Sequence, residues 1–245
     1  MKAVILAAGL GTRVLPYTQK IPKVLLSLDK KPLLYYQLIW LKKNGIKDVA
    51  INTHHLHEVV ESYLRTHDFG MKIELFYEPV LMGTAGALSK MKEFFGKERF
   101  LVYYGDNITN LDLRALERFH DLRKGAGTIC LHAIEPHHIE HSSIVEMDEK
   151  DRILRFEEKP QERSLSGSMC AFSNAGIYLF EAEMLGHIPD GKFSDFGRDI
   201  LPKAAERCAL FGFPLLDCYW KELGTVERYE AAAKEFSLRI PPGLT

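Results

Sequence analysis

The sequence predicts an open α/β fold: a mostly parallel central sheet flanked by helices, with a small antiparallel portion in its second half. Three observations predict it. Lys2 to Ala7 is a short apolar run without alternation, as expected of a strand covered on both faces of a parallel sheet. Strand-like runs then alternate with segments of helical spacing through the first half of the chain. Small-residue stretches, Gly9-Leu10-Gly11-Thr12 and Gly83-Thr84-Ala85-Gly86, follow strands at the edge where open α/β sheets gather their binding loops.

Composition sets the outer bounds. At 245 residues there is room for one α/β domain with a substantial core, or one domain with a small appendage. Hydrophobic residues make up 46% and charged residues 27%, ordinary for a globular protein. Lys and Arg number 32 against 33 Asp and Glu, a net charge of −1, which makes no electrostatic case for nucleic acid or a membrane surface. Cys130, Cys170, Cys208 and Cys218 are scattered without a Cys-x-x-Cys pair, so reduced core cysteines are expected rather than a zinc or disulfide framework. The amino terminus enters a strand at once, leaving no room for a signal peptide, and no apolar run approaches the roughly 18 residues of a membrane span. A cytoplasmic enzyme is expected.

The elements follow in order. After the first strand, Asp29-Lys30-Lys31-Pro32 reads as a turn, with Pro32 suited to the first helical position. Leu34, Leu38 and Leu41 mark a helix that Asn44-Gly45 stops. Asp48 to Asn52 is the second buried strand, Glu58 to Arg65 a helix, and Lys72 to Glu78 the third strand. His54, His55 and His57 between them lack the spacing of a metal site and are read as loop packing at a helix entry. Arg99 to Tyr104 is the fourth strand. Leu113 to Lys124 is an amphipathic helix closed by Gly125-Ala126-Gly127, and Thr128 to Ile134 is a strand. Glu135 to His141 reads as an exposed polar loop. Ile144 to Met147 and Ile153 to Phe156 flank Asp148-Glu149-Lys150-Asp151 as a hairpin. After a polar loop, Ser194-Asp195-Phe196 starts a helix, Leu210 to Leu215 is a strand, and Thr225 caps the final helix, Val226 to Ser237. Residues 241–245, with Pro241-Pro242, read as a loose tail.

The chemistry sits in the loops. Gly9 and Gly11 allow backbone N–H groups to approach an anion, because no Cβ stands in the way. Arg13 and, after Pro22, Lys23 add cations suited to phosphate oxygens. The stretch is neither a dinucleotide fingerprint, since Val14 stands where a third glycine belongs, nor a P-loop. In the second loop, Glu78-Pro79 leads into Gly83-Thr84-Ala85-Gly86, whose small residues let a planar ring lie against the backbone and be read by N–H and C=O groups. Asp106 follows the fourth strand after Gly105. There it is a natural ligand for a hard cation such as magnesium, whose shell phosphate oxygens and water complete.

The strings LAAGLGTRVLP…IPK, EPxxMGTAGAL, EEKP and NAGIYLF resemble the sugar-nucleotide pyrophosphorylases, in particular their mannose 1-phosphate guanylyltransferase branch. The motifs keep the family's order from residue 3 to about residue 233. The resemblance implies a Rossmann-like nucleotidyltransferase domain over residues 1–240. Residues 1–127 would be mainly nucleotide-binding, and 128–240 mainly sugar-phosphate-binding. It implies that Leu6, Ala7, Ala8, Gly9, Gly11, Thr12, Glu78, Gly83, Thr84 and Ala85 bind the nucleotide. Glu158 and Asn174 would meet sugar hydroxyls, and Asp106 with Glu222 would hold Mg²⁺. Arg13, Lys23, Asp106 and Lys159 would carry catalysis, Lys23 on the α-phosphate, Arg13 on the leaving pyrophosphate and Lys159 on the attacking phosphate.

Four positions depart from the family's pattern. Val24 replaces a proline, Ser142-Ser143 stands where Tyr-Gly is common, and Asn107 follows the metal aspartate. Glu222 stands where the family places aspartate, and its carboxylate lies one bond, roughly 1.5 Å, further out. The implied reaction joins a nucleoside triphosphate to a sugar 1-phosphate, with GTP and mannose 1-phosphate the leading pair. Uridylyl or thymidylyl transfer to another sugar 1-phosphate, a cytidylyltransferase for an alcohol phosphate, and a non-catalytic sugar-nucleotide-binding regulatory subunit are the competing readings. Neither a nucleic-acid nor a membrane partner is expected; a homo-oligomer is left open.

Overall fold

A computed structural model describes residues 1–134, 142–160 and 172–244. The expected exposed loop at 135–141 and the polar loop ahead of Asn174, at 161–171, lie outside the described residues.

In chain order, β1 (Lys2–Leu6) is followed by 3₁₀ turns at Thr12–Val14, Tyr17–Gln19 and Lys23–Leu25. Then come β2 (Ser27–Leu28), β3 (Lys31–Pro32) and helix α1 (Leu33–Lys43). Pro32 caps α1, and Asp29 and Lys30 reverse the chain with φ of 43° and 67°. The helix ends where Asn44 turns its amide back onto the Trp40 carbonyl at 2.9 Å and Gly45 takes φ +82°. β4 (Asp48–Thr53), α2 (His57–Thr66) and β5 (Lys72–Tyr77) match the expected elements to within a residue or two. α3 spans only Gly83–Gly86 before a 3₁₀ stretch and α4 (Lys92–Phe95).

β6 (Phe100–Tyr104) leads to β7 (Asn107–Thr109), α5 (Leu113–Arg123) and β8 (Gly127–Ala133). β9 (Ser143–Met147) and β10 (Ile153–Glu158) form the expected hairpin, followed by β11 (Phe172–Phe180). Ser194-Asp195-Phe196 does not open an ordinary helix. A π-helical turn, Phe196–Ile200, precedes α6 (Leu201–Arg207). β12 (Leu210–Pro214), β13 (Trp220–Glu222) and α7 (Val226–Leu238) complete the chain. Thr225 accepts the Arg228 N–H at 3.3 Å, as expected of the cap.

These elements divide into two compact units made of interleaved segments rather than consecutive halves. The first holds Met1–Leu81, Tyr103–Asp112 and Cys218–Thr245; the second holds Met82–Val102 and Leu113–Asp217. In the first unit β1, β4 and β5 run parallel, with Leu6 opposite Asn52 and Asn52 opposite Phe76. Antiparallel β7 and β13 lie beside a core of Leu28, Leu33, Tyr36, Ile108, Leu223, Ala232 and Phe236. The terminal residues are not the loose tail expected of Pro241-Pro242. Leu244 is fully buried in that core, and Asn110 holds the Pro242 carbonyl at 2.9 Å. Burial of Leu244 and Pro241, packing of Ile240 and the Asn110 hydrogen bond together anchor the segment.

In the second unit β11 pairs antiparallel with β8, while β12 pairs parallel with β8. Its core is an aromatic column. Phe100 lies tilted at 32° against Phe95 with centroids 4.4 Å apart, and Phe196 meets both Tyr178 and Phe180 at 5.3 and 5.6 Å.

Candidate active site

In the first unit four sequence-distant segments meet at the carboxyl end of β1. Gly105 donates its N–H to the Leu6 carbonyl at 2.9 Å. A Cβ at position 105 would stand 2.5 Å from that oxygen and 2.8 Å from Val24, so only glycine permits this approach. Asp106 is thereby set beside the end of β1. Gln37, fully buried on α1, fixes the turn from beneath: its amide donates to the carbonyls of Tyr104 (3.2 Å) and Asn107 (2.8 Å). On the other side Leu223 donates to the Asp106 carbonyl at 2.8 Å, and Glu222 lies opposite Asn107 in the β7–β13 pair.

Onto this frame the charged groups converge. Lys23 Nζ lies 2.7 Å from Asp106 Oδ2, with the two side chains 13% and 21% exposed. Burial alone would push the Asp106 carboxyl up, but the Lys23 ammonium, by charge and hydrogen bond, and Arg13 hold it below the usual carboxylate range. Glu222 goes the other way. Burial and the neighbouring Asp106 charge raise it, against the pull of Arg228, Lys23 and Arg13. Its carboxylate pairs with Arg228 on α7 and lies 3.8 Å from Arg13, whose side chain is 67% exposed. Among the described residues no group of three or more His, Cys, Asp or Glu side chains could enclose a metal. Two hard carboxylates without nitrogen or sulfur partners fit instead a hard divalent cation that takes most of its shell from a bound ligand.

The loop after β1 is shaped for close approach. Ala7 donates to Asn52 Oδ1 at 2.7 Å. Gly11 has φ +69°, and a Cβ there would sit 2.8 Å from Thr18, whose hydroxyl donates to the Gly11 carbonyl at 2.7 Å. Gly9 differs: a Cβ there would meet nothing within 4 Å, so the space beside that residue is open. Glu78, expected to face a nucleotide, is 2% exposed. Its carboxylate accepts the Asn52 amide at 2.7 Å, and its carbonyl lies 2.6 Å from His54 Nδ1. It ties the ends of β4 and β5 together. The other two histidines are likewise engaged, His55 with the Thr18 carbonyl and His57 with the Thr53 hydroxyl.

The second unit carries the remaining expected residues. The N–H groups of Thr84, Ala85 and Gly86 are committed to Asp195 Oδ1 (3.0 Å) and the Ser194 carbonyl (2.9 Å each). This corrects the expectation that they read a ring edge; the turn offers its small side chains rather than those donors. Glu158 ends β10 opposite Ser143. Lys159 follows in the left-handed region at φ +49°, its N–H on the Ser142 carbonyl at 3.2 Å. For a non-glycine residue that conformation costs of order 1–3 kcal/mol and persists only where neighbours impose it. The Ser142-Ser143 departure has a structural use, since Ser143 Oγ accepts the Asn174 N–H at 2.9 Å and meets Ser173 Oγ at 3.1 Å. Asn174 itself spends its amide in a bulge of β11. It accepts from the Gly176 N–H at 2.8 Å and donates to the Tyr178 hydroxyl at 2.7 Å.

Sequence reasoning missed Gln37, Asn52, Asp195 and Arg228. Gln37 and Asn52 did leave a signal, a lone amide in an apolar helix face and a lone amide in an apolar strand. The partners of Asp195 and Arg228 depend on distant chain contacts that no local pattern carries.

Residues 2–237 match the nucleotidyl transferase family. The chain is 34% identical to a UTP–glucose-1-phosphate uridylyltransferase of Synechocystis over 96% of its length and 63% of the relative's. It is 30% identical to a D-glycero-α-D-manno-heptose 1-phosphate guanylyltransferase of Aneurinibacillus thermoaerophilus, covering 96% and 98%. It is also 32% identical to a zebrafish mannose-1-phosphate guanylyltransferase catalytic subunit β, covering 91% and 61%. The chain thus spans less than two thirds of the first and third relatives and nearly all of the second. A solved UDP-glucose pyrophosphorylase complexed with UDP-glucose superposes with a TM-score of 0.80 at 18% identity, over 98% of this chain and 99% of that one. The fold is therefore the Rossmann-like, helix-flanked mixed sheet of the nucleotidyltransferases, and the chain belongs to the nucleotidyl transferase family.

Proposed function

We propose that this chain joins a nucleoside triphosphate to a sugar 1-phosphate, releasing pyrophosphate, with GTP and mannose 1-phosphate or a related sugar the leading pair. The observation that carries the reading is the cluster of Arg13, Lys23, Asp106 and Glu222 at the carboxyl end of β1, beside the open loop at Gly9. A phosphate oxygen of the sugar 1-phosphate attacks the α-phosphorus. The bond from that phosphorus to the bridging oxygen of the β-phosphate breaks, and pyrophosphate leaves with the electron pair. The nucleophile is already an anion, so no general base is required, and positioning with charge neutralisation supplies the rate.

Lys23 holds the α-phosphate, Arg13 the departing pyrophosphate and Lys159 the attacking phosphate. Leu6, Ala7, Ala8, Gly9, Gly11 and Thr12 wrap the triphosphate. Gly83, Thr84 and Ala85 lie against the base, while Glu158 and Asn174 meet sugar hydroxyls. Glu78 supports the nucleotide loop through Asn52 rather than by direct contact. Asp106 and Glu222 would hold Mg²⁺, which supplies charge neutralisation to the phosphates when bound. No helix among the described residues is long and apolar enough to cross a membrane.

The uridylyl alternative is favoured by the Synechocystis relative, so the base must be measured. Pyrophosphate release from GTP, UTP, dTTP, ATP and CTP against a panel of sugar 1-phosphates, with and without Mg²⁺, tests the reading. One pair should dominate, chelation should abolish it, and Asp106→Asn should lower turnover by about 10²-fold or more. Wild-type rates in Asp106→Asn, or no release from any pair, would remove the proposal.

A further inference from the structure

We propose that Ser194–Gly197 is a strap that positions the turn at 83–86 and the Glu158 carboxylate together, so that ligand binding at one tightens binding at the other. Asp195 is its main positioning residue. The inference rests on the reading just given, in which the turn meets the base and Glu158 the sugar.

The contacts at the turn are dense. Asp195 Oδ1 accepts both the N–H and the hydroxyl of Thr84, at 3.0 and 3.2 Å, and the Thr84 hydroxyl in turn accepts the Phe196 N–H at 2.9 Å. The Ser194 carbonyl accepts from Ala85 and Gly86, and its N–H donates to the Met82 carbonyl, each at 2.9 Å. No slack remains. A Cβ on Gly83 would stand 2.5 Å from the Ser194 carbonyl oxygen, and one on Gly86 2.5 Å from that of Lys192.

The strap's other end touches the sugar carboxylate: a Cβ on Gly197 would stand 2.5 Å from Glu158 Oε2 and 2.9 Å from its Cδ. Between the two ends the strap is stiff. Asp195 N–H donates to Asp199 Oδ2 at 2.8 Å, Arg198 reaches Asp195 Oδ2 at 3.1 Å, and Phe196 is buried against Tyr178 and Phe180. The π-helical turn over Phe196–Ile200 keeps Gly197 against Glu158. Because packed segments shift as units rather than deform, a ligand that seats the turn also seats Glu158.

The test uses the whole chain and equilibrium binding of sugar 1-phosphate, with and without the α,β-methylene analogue of the triphosphate that the wild type turns over. Wild-type sugar affinity should rise about 5-fold or more with the analogue, the lower end of ordinary site coupling. Thr84→Val, on the turn, should cut that rise below about twofold and raise KM for the sugar phosphate. Gly197→Ala, beside Glu158, should raise KM for the triphosphate. Asp195→Asn, which keeps one acceptor, is the milder variant should either fail to fold by circular dichroism. A wild type that turns over yet shows no change in sugar affinity with the analogue overturns the strap and leaves the reaction standing. So does a folded Thr84→Val that alters only the triphosphate KM. A wild type that neither binds nor turns over any pair removes both.

Discussion

Asp106 in the turn before β7 and Glu222 at the end of β13 are driven in opposite directions by their surroundings. The Lys23 ammonium answers the burial of the first, while burial and the charge of Asp106 dominate at the second. Residue chemistry of the same kind acts away from the site at His120. Its Nδ1 accepts the Thr128 hydroxyl at 2.8 Å and its Nε2–H donates to Glu181 at 3.2 Å, so the neutral ring satisfies both partners. Burial, assisted by nearby Arg99 and opposed by Glu181, lowers its pKa below 6.5. The unfolded chain therefore takes up a proton at a pH where the folded chain does not. The contribution is complete above pH 6.5 and is lost as pH falls from there through the folded value. Urea midpoints should drop as pH falls below about 6.5. His120→Gln should flatten that slope, and an unchanged slope in the variant would assign the acid sensitivity elsewhere.

At the scale of elements, the turn between β6 and β7 depends on backbone contact that side chains cannot replace. Gly105→Ala must push a methyl into the Leu6 carbonyl and Val24, so a loss of about 1–3 kcal/mol is expected, with lower turnover because Asp106 moves. Gln37→Leu should cost a similar amount, about 1–3 kcal/mol, by removing the buried amide that donates to the Tyr104 and Asn107 carbonyls. Chemical denaturation of both variants checks the two values; a neutral Gln37→Leu would show that the turn does not depend on that amide. Strand and helix positions were legible here because periodicity and caps are local. Thr225, Asn44 and Gly45 mark their helix ends in the sequence and in the structure alike. The short α3 and the π-helical turn were not legible. Both are set by the Ser194–Asp195 contacts made across more than a hundred residues.

On the scale of the whole molecule, a ligand that binds only the folded chain should stabilise it by mass action. At about 100 times its Kd, Mg²⁺ with the preferred triphosphate adds about 2.7 kcal/mol, read as a rise in melting temperature that chelation reverses. A melting temperature indifferent to every triphosphate would contradict the site. The sequence by itself determined the class of fold, the order of its motifs and the residue types suited to phosphate. Those follow from hydrophobic period, turn chemistry and charge, which neighbours along the chain settle. Only the tertiary structure decided which of those residues touch. It set Lys23 on Asp106 and Glu222 beside Arg228, sealed Glu78 beneath Asn52, spent the N–H groups of 84–86 on Asp195 and Ser194, and drew Leu244 into the core. The reason is physical: hydrogen-bond partners and burial are properties of contacts between distant segments, and no local pattern of residues encodes them.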